Sequence, residues 1–191
     1  MRIIAGRFRG RRLLPSGAID LRPTSDRLRE TLFDVIAAAG GLEGTRWLDL
    51  YAGTGAVGIE ALSRGAGYVC FVESARTAAA LIKRNLDSLE ISEFASIMQK
   101  PVLKALEELD AKISSGSERT FDSCFLDPPY RLEAEYERVF KRLSHSQVLG
   151  ISALLIAEHS KHFDLPATSG SWSRARRLQQ GDAVLSFYRR S

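Results

Sequence analysis

A glycine-rich turn between a strand-like run and a helical one constrains this chain more than any other feature. Leu48-Asp49-Leu50-Tyr51-Ala52-Gly53-Thr54-Gly55-Ala56-Val57-Gly58 carries glycines 53, 55 and 58 at the G-x-G-x-x-G spacing. Gly53 and Gly55 permit a tight turn and the close approach of a ligand to bare backbone, and Gly58 lets the helix pack near the strand. Glu73 ends the next strand-like run, near the roughly 20-residue offset at which a carboxylate reaches ribose hydroxyls. A nucleoside-bearing cofactor is implied. Asp49, four residues ahead of the first glycine, narrows the choice. A carboxylate there suits the ammonium of a zwitterion and repels a pyrophosphate, which favours S-adenosylmethionine over NAD.

Around this turn, β-rich runs alternate with helical ones, the pattern of a parallel sheet covered by helices. Strands are expected at Trp47 to Tyr51, Tyr68 to Glu73, Ala95 to Met98, Phe121 to Leu126 and Ser152 to Ala157. The helices between them should cover Ala56 to Arg64, a segment capped by Ser74 and running to Leu89, Val102 to Ile113, and Glu133 to Leu143. After Pro166 the pattern changes to two strand-like runs, Ser171 to Leu178 and Ala183 to Tyr188, joined around Gly181 as an antiparallel hairpin. Ahead of the sheet, Ser25 can cap a helix with Leu28, Leu32, Phe33 and Ile36 at helical spacing, ended by Gly40-Gly41. The economical division is a basic N-terminal extension with its helix, residues 1–41, and an α/β domain over 42–191, the two forming one compact unit.

Charge separates those two parts. The first 29 residues hold eight arginines (Arg2, Arg7, Arg9, Arg11, Arg12, Arg22, Arg27 and Arg29) against Asp20 and Asp26, which leaves them at +6 and the rest at −2 in a chain of net charge +4. Arginines matched to phosphates release counterions, so a polyanion-binding segment is expected here; the alternative is a leader whose arginines pair within the fold. At 45% hydrophobic and 26% charged residues the composition excludes intrinsic disorder. The longest apolar stretches, such as Ala153 to Ala157, fall far short of the roughly 18 to 20 residues that span a membrane. No secretory signal is visible, and Cys70 and Cys124 lie in hydrophobic segments where buried thiols are expected, so a cytoplasmic setting fits.

Asp127-Pro128-Pro129-Tyr130 follows directly on the fourth expected strand, at the carboxyl end where ligands of doubly wound sheets bind. Two prolines stiffen the loop and supply no N–H, so the Asp127 and Pro128 carbonyls can face a ligand. This suits an exocyclic amine, whose lone pair is delocalised into its ring. Accepting its two N–H bonds on Asp127 and the Pro128 carbonyl draws the nitrogen toward a tetrahedral geometry, while Tyr130 stacks on the base.

Together with Arg2-Ile3-Ile4-Ala5-Gly6, Gly10-Arg11-Arg12-Leu13 and Arg22-Pro23-Thr24-Ser25-Asp26-Arg27-Leu28-Arg29-Glu30, these motifs resemble those of the RsmD-type 16S rRNA guanine-N2 methyltransferases, a class I S-adenosylmethionine-dependent family. The resemblance covers nearly the whole chain. It implies a Rossmann-like sheet of seven strands, mostly parallel with an antiparallel C-terminal hairpin, and an N-terminal extension. It implies methylation of one guanine in 16S rRNA presented by the assembling 30S subunit, with no metal and no membrane. On that resemblance Asp49, Tyr51, Gly53, Gly55 and Glu73 hold S-adenosylmethionine, Asp127, Pro128 and Tyr130 hold the base, and Arg7, Arg9, Arg11, Arg12, Arg22, Arg27 and Arg29 are candidates for RNA contact. Many such enzymes carry an acidic residue after the third strand to meet the adenine. Here that position reads Gln99-Lys100-Pro101-Val102, so backbone groups are expected there instead.

Other chemistries find less support. Glu158-His159 followed by His162 is not the order of a zinc peptidase, and the histidines are expected at the surface or at a strand end. No nucleophile elbow occurs and neither cysteine sits in a catalytic-looking loop, so direct displacement without a covalent intermediate is the expected route. Trp172, Arg174 and Arg176 fall at alternate positions of one expected strand and would share a face, as an RNA platform or as a charged sheet edge. A DNA adenine-N6 methyltransferase and a non-catalytic RNA-binding assembly factor with a retained cofactor pocket are the alternatives that remain.

Overall fold

The computed structural model describes residues 1–15, 25–129 and 131–191. They fall into two units, Met1–Lys100 and Pro101–Ser191. The N-terminal extension belongs to the first, where Ile3 and Leu13 are buried.

In the first unit α1 (Asp26–Ala38) begins as expected, with the Ser25 hydroxyl accepting the Leu28 N–H at 3.1 Å and Leu28, Leu32, Phe33 and Ile36 buried. It ends at the glycine pair, where Gly41 at a φ of +83° donates back to the Ile36 carbonyl at 3.0 Å. β1 (Arg46–Leu50), α2 (Ala56–Ser63), β2 (Tyr68–Val72), α3 (Arg76–Leu89) and β3 (Ala95–Met98) follow. The three strands are parallel in the order β3-β2-β1, with Trp47 opposite Val69 and Phe71 opposite Ile97. Four of the five residues of β2 are buried, as a strand covered on both faces demands. The expected Ser74 cap is not made. α3 opens one residue later, after Ala75, with no side-chain cap, and the Ala75 N–H is taken by the Glu73 carboxylate at 2.7 Å.

The second unit opens with α4 (Val102–Ser114) and β4 (Phe121–Leu126), then α5 (Ala134–Ser144), whose Tyr136, Val139, Phe140 and Leu143 face the core at helical spacing. β5 (Leu149–Ser160) pairs parallel with β4 on one side and antiparallel with β8 (Ala183–Arg190) on the other. Two partners extend it to 12 residues, twice the expected run. β7 (Trp172–Gln180) pairs antiparallel with β8 across Gly181-Asp182, where Gly181 takes a φ of +62°. β6 (Thr168–Ser169) adds two residues against the start of β7. The described residues thus hold five helices and eight strands, parallel first and antiparallel toward the C-terminus. The eighth is this short β6, too brief to leave a periodic signal.

Candidate functional site

The turn after β1 is held by two carboxylates, each bonded to backbone. Asp49 is 2% exposed and its Oδ2 accepts the Gly58 N–H at 3.0 Å, tying the strand to the first turn of α2. Glu73 accepts the Gly53 N–H at 2.9 Å through Oε2 and the Ala75 N–H at 2.7 Å through Oε1. Between them the backbone turns left-handed at Tyr51 (φ +59°), Gly53 (+54°) and Gly55 (+76°). Tyr51 is one of two described residues other than glycine with positive φ, a conformation that costs free energy and persists only when its surroundings impose it. Gly58 allows close packing, since a Cβ there would lie 2.3 Å from the Phe71 ring. Burial pushes the Asp49 carboxyl up to about 7, the Gly58 hydrogen bond opposing and the Glu73 charge adding to the rise. The turn gathers two carboxylates, Asp49 and Glu73, with no lysine or arginine between residues 49 and 58. That fits a ligand with a sulfonium and an ammonium, and does not fit a pyrophosphate. Each oxygen of Glu73 keeps a lone pair for a ribose hydroxyl beyond the backbone bond it already makes.

The basic N-terminal residues are docked through their backbone. Arg2 and Arg12 form an antiparallel bridge, and Gly6 and Gly10 turn the chain at φ near +80°. The Glu60 carboxylate, 1% exposed, accepts the N–H groups of Ile4 at 2.8 Å and Ala5 at 2.9 Å while also receiving the Arg64 Nε–H at 2.8 Å. The Ser63 hydroxyl donates to the Ala5 carbonyl at 2.6 Å and accepts the Phe8 N–H at 3.0 Å. Gly6 passes so close that a Cβ would sit 1.8 Å from the Ser63 carbonyl oxygen. With the backbone satisfied this way, Arg7, Arg9, Arg11, Arg12 and Arg27 remain exposed.

Arg29 departs from the expectation of RNA contact. It is fully buried, and its Nη2 donates to the Arg2 carbonyl at 2.7 Å and to Asp26 at 2.9 Å, so it staples α1 to the N-terminal segment and is beyond the reach of RNA. Burial lowers the affinity of its guanidinium for its proton, and the charges of Asp26 and Glu60 oppose that. Arg22 lies outside the described residues.

Asp127 and Pro128 follow β4 without a break, Asp127 half-buried and Pro128 buried. The Pro129 carbonyl is taken by the Leu132 N–H at 2.7 Å, which turns the chain toward α5. Tyr130 lies outside the described residues. The expected face of Trp172, Arg174 and Arg176 is not formed, because a bulge between Arg174 and Arg176 breaks the alternation. Arg174 instead donates to Asp164 at 3.0 Å and to the Leu165 carbonyl at 2.8 Å. His159 is at a strand end but fully buried; its Nδ1 lies 2.6 Å from the Phe163 carbonyl and its Nε2 2.9 Å from the Ser186 hydroxyl. Among the described residues no cluster of three metal-ligating side chains occurs.

The family model described as Conserved hypothetical protein 95 matches residues 1–189, and a Haemophilus influenzae relative named Ribosomal RNA small subunit methyltransferase D is 34% identical over 98% of this chain and 93% of its own. The chain belongs to the RsmD family. The solved structure of yhhF from Escherichia coli is similar to this RsmD-family chain at a TM-score of 0.82 and 29% identity, over 100% of this chain and 98% of that one. SMU.776, solved in complex with SAH, shares the fold alone, at a TM-score of 0.64 and 14% identity over 85% of this chain and 48% of that one. The class I methyltransferase fold expected of an RsmD-family protein is the one observed.

What sequence reading missed in this RsmD-family chain is the set of buried polar side chains that hold the N-terminal segment: Glu60, Ser63 and Asn85. One signal was present. Glu60 is the one charged residue of a short helix that is apolar but for Ser63 at its end, a placement that requires a partner.

Proposed function

We propose that this protein transfers a methyl group from S-adenosylmethionine to the exocyclic N2 of a guanine in 16S rRNA, presented by the assembling 30S subunit, by direct displacement with no covalent enzyme intermediate. The observation that carries the reading is Asp127, half-buried at the carboxyl end of β4 and followed by two prolines, in a chain whose 34% identical relative is named as a small-subunit rRNA methyltransferase.

S-adenosylmethionine supplies an electrophilic methyl group on a sulfonium centre. Glu73 accepts the ribose hydroxyls, and the negative charge of Asp49 and Glu73 favours the ligand's cationic groups. The Asp127 carboxylate and Pro128 carbonyl accept the two N–H bonds of the guanine amine, and Tyr130 stacks on the turned-out base. Arg7, Arg9, Arg11, Arg12 and Arg27 meet phosphates and hold the RNA in register. Because burial pushes the Asp49 carboxyl up to about 7, cofactor affinity should weaken as the pH falls below that value and the charge facing the ammonium is lost.

The test is incubation with methyl-labelled S-adenosylmethionine and unmethylated 30S subunits, naked 16S RNA or duplex DNA, followed by identification of the labelled nucleoside. Label in N2-methylguanosine, abolished by Asp127→Ala, supports the reading. Label in DNA adenine would replace it with an adenine-N6 activity, and RNA binding without transfer to any substrate would leave an assembly factor.

A further inference from the structure

Asn85 is the one polar side chain among the seven buried residues of α3. It is fully buried, a placement costly for an amide unless both its ends are bonded. Its Oδ1 accepts the Leu14 N–H at 2.8 Å, at the end of the docked basic segment. Its Nδ2 donates to the carbonyl of Thr54, between the two glycines of the turn, across a long 3.5 Å. The same two places approach each other again through Met1, whose Sδ lies 3.9 Å from the Thr54 hydroxyl. One helical turn further on, Arg11 Nη2 donates to the Ser88 carbonyl at 2.9 Å. A planar amide is suited to this double duty because it donates and accepts at once; leucine would do neither, and an ionised aspartate would lose the donor.

We propose that Asn85 is a positioning residue coupling the basic N-terminal segment to the glycine turn, so that RNA bound to the first tightens cofactor binding at the second. RNA on the exposed arginines favours the docked segment. The docked segment holds Asn85, and Asn85 holds the Thr54 carbonyl, so part of the ordering that the cofactor requires is already in place. The inference rests on the assignment of cofactor to the turn and RNA to the arginines made above.

The measurement is binding of labelled S-adenosylhomocysteine by equilibrium dialysis, with and without saturating unmethylated 30S subunits. The intact protein should bind the label about 5-fold more tightly or better when subunits are present, within the usual range of coupling between sites. In Asn85→Leu, and independently in Leu14→Pro, which deletes the donor on the segment side alone, the enhancement should fall below about 2-fold. Leu14→Pro keeps the test decisive where Asn85→Leu does not fold. Amide exchange over residues 53–58, followed without cofactor, should slow on subunit binding in the intact protein and not in the variants. A loss of stability alone would leave the coupling ratio unchanged. Equal enhancement in folded variants, or none in the intact protein when both ligands bind, overturns the inference and leaves the proposed function standing. Failure to bind S-adenosylhomocysteine at all overturns both.

Discussion

Two arginine-rich stretches of this protein use the same side chain in opposite ways. In residues 2–12 the backbone is docked by side-chain acceptors, Glu60 on Ile4 and Ala5 and Ser63 on Phe8, and most guanidinium groups are left exposed. In β7 and β8 the sheet satisfies the backbone, and the guanidinium groups of Arg174 and Arg190 serve as internal staples while Arg176, Arg177 and Arg189 stay exposed. Arg174 binds Asp164 and the Leu165 carbonyl, while Arg190 binds the Ser146 carbonyl at 2.9 Å and lies 4.9 Å from the Trp172 ring centroid. Arginine content alone therefore says little about where RNA binds. What decides is whether the side chain or the backbone is the group that the fold must satisfy.

The sharpest way to break the contrast is at Glu60. Glu60→Ala leaves two N–H groups and Arg64 without their buried acceptor, and should cost about 3 to 5 kcal/mol in urea unfolding and abolish RNA binding with the docked segment. Survival of RNA binding in a folded Glu60→Ala protein would show that docking is not needed to present the arginines. Arg190→Ala should cost about 2 kcal/mol through lost carbonyl bonds and ring contact, and leave RNA affinity unchanged when measured on the folded protein. Arg9→Ala should do the reverse, with an unchanged unfolding midpoint and a log–log salt dependence of RNA binding shallower by about 0.7 to 0.9. An unaltered slope would remove Arg9 from the contact set. The smallest effect concerns Asp164, held below its ordinary value of 3.8 chiefly by the hydrogen bond from Arg174. A depressed carboxyl contributes stability above its unfolded value and loses it as the pH falls through the folded one. Arg174→Ala should thus lower the thermal midpoint slightly at pH 7, with the gap to the intact protein closing below about pH 4.

Much of this was readable before any coordinate. The strands Ala95–Met98 and Phe121–Leu126 fall on the short runs that alternate with helical segments along the sequence, and Ser25 caps α1 as its position before Leu28 and Leu32 requires. The glycine turn with Asp49 and Glu73 was legible because its demands are local: positive φ, close approach and a short offset along the chain. The Arg174 bulge was not legible, since an inserted residue in a ladder depends on the partner strand. Arg29 was misread for a related reason. Nothing within a few residues of it reveals that the Arg2 carbonyl, 27 positions away, receives its guanidinium.

Sequence by itself determined the α/β order, the turn and its two carboxylates, the loop after β4 and the charge of the N-terminal segment, because each depends on neighbours along the chain. Only the tertiary structure decided which arginines face solvent, that Asp49 spends one oxygen on Gly58, and that Asn85 joins Leu14 to Thr54. A buried polar side chain takes its partner from whatever the packing brings within about 3 Å, and that partner leaves no periodicity in the sequence.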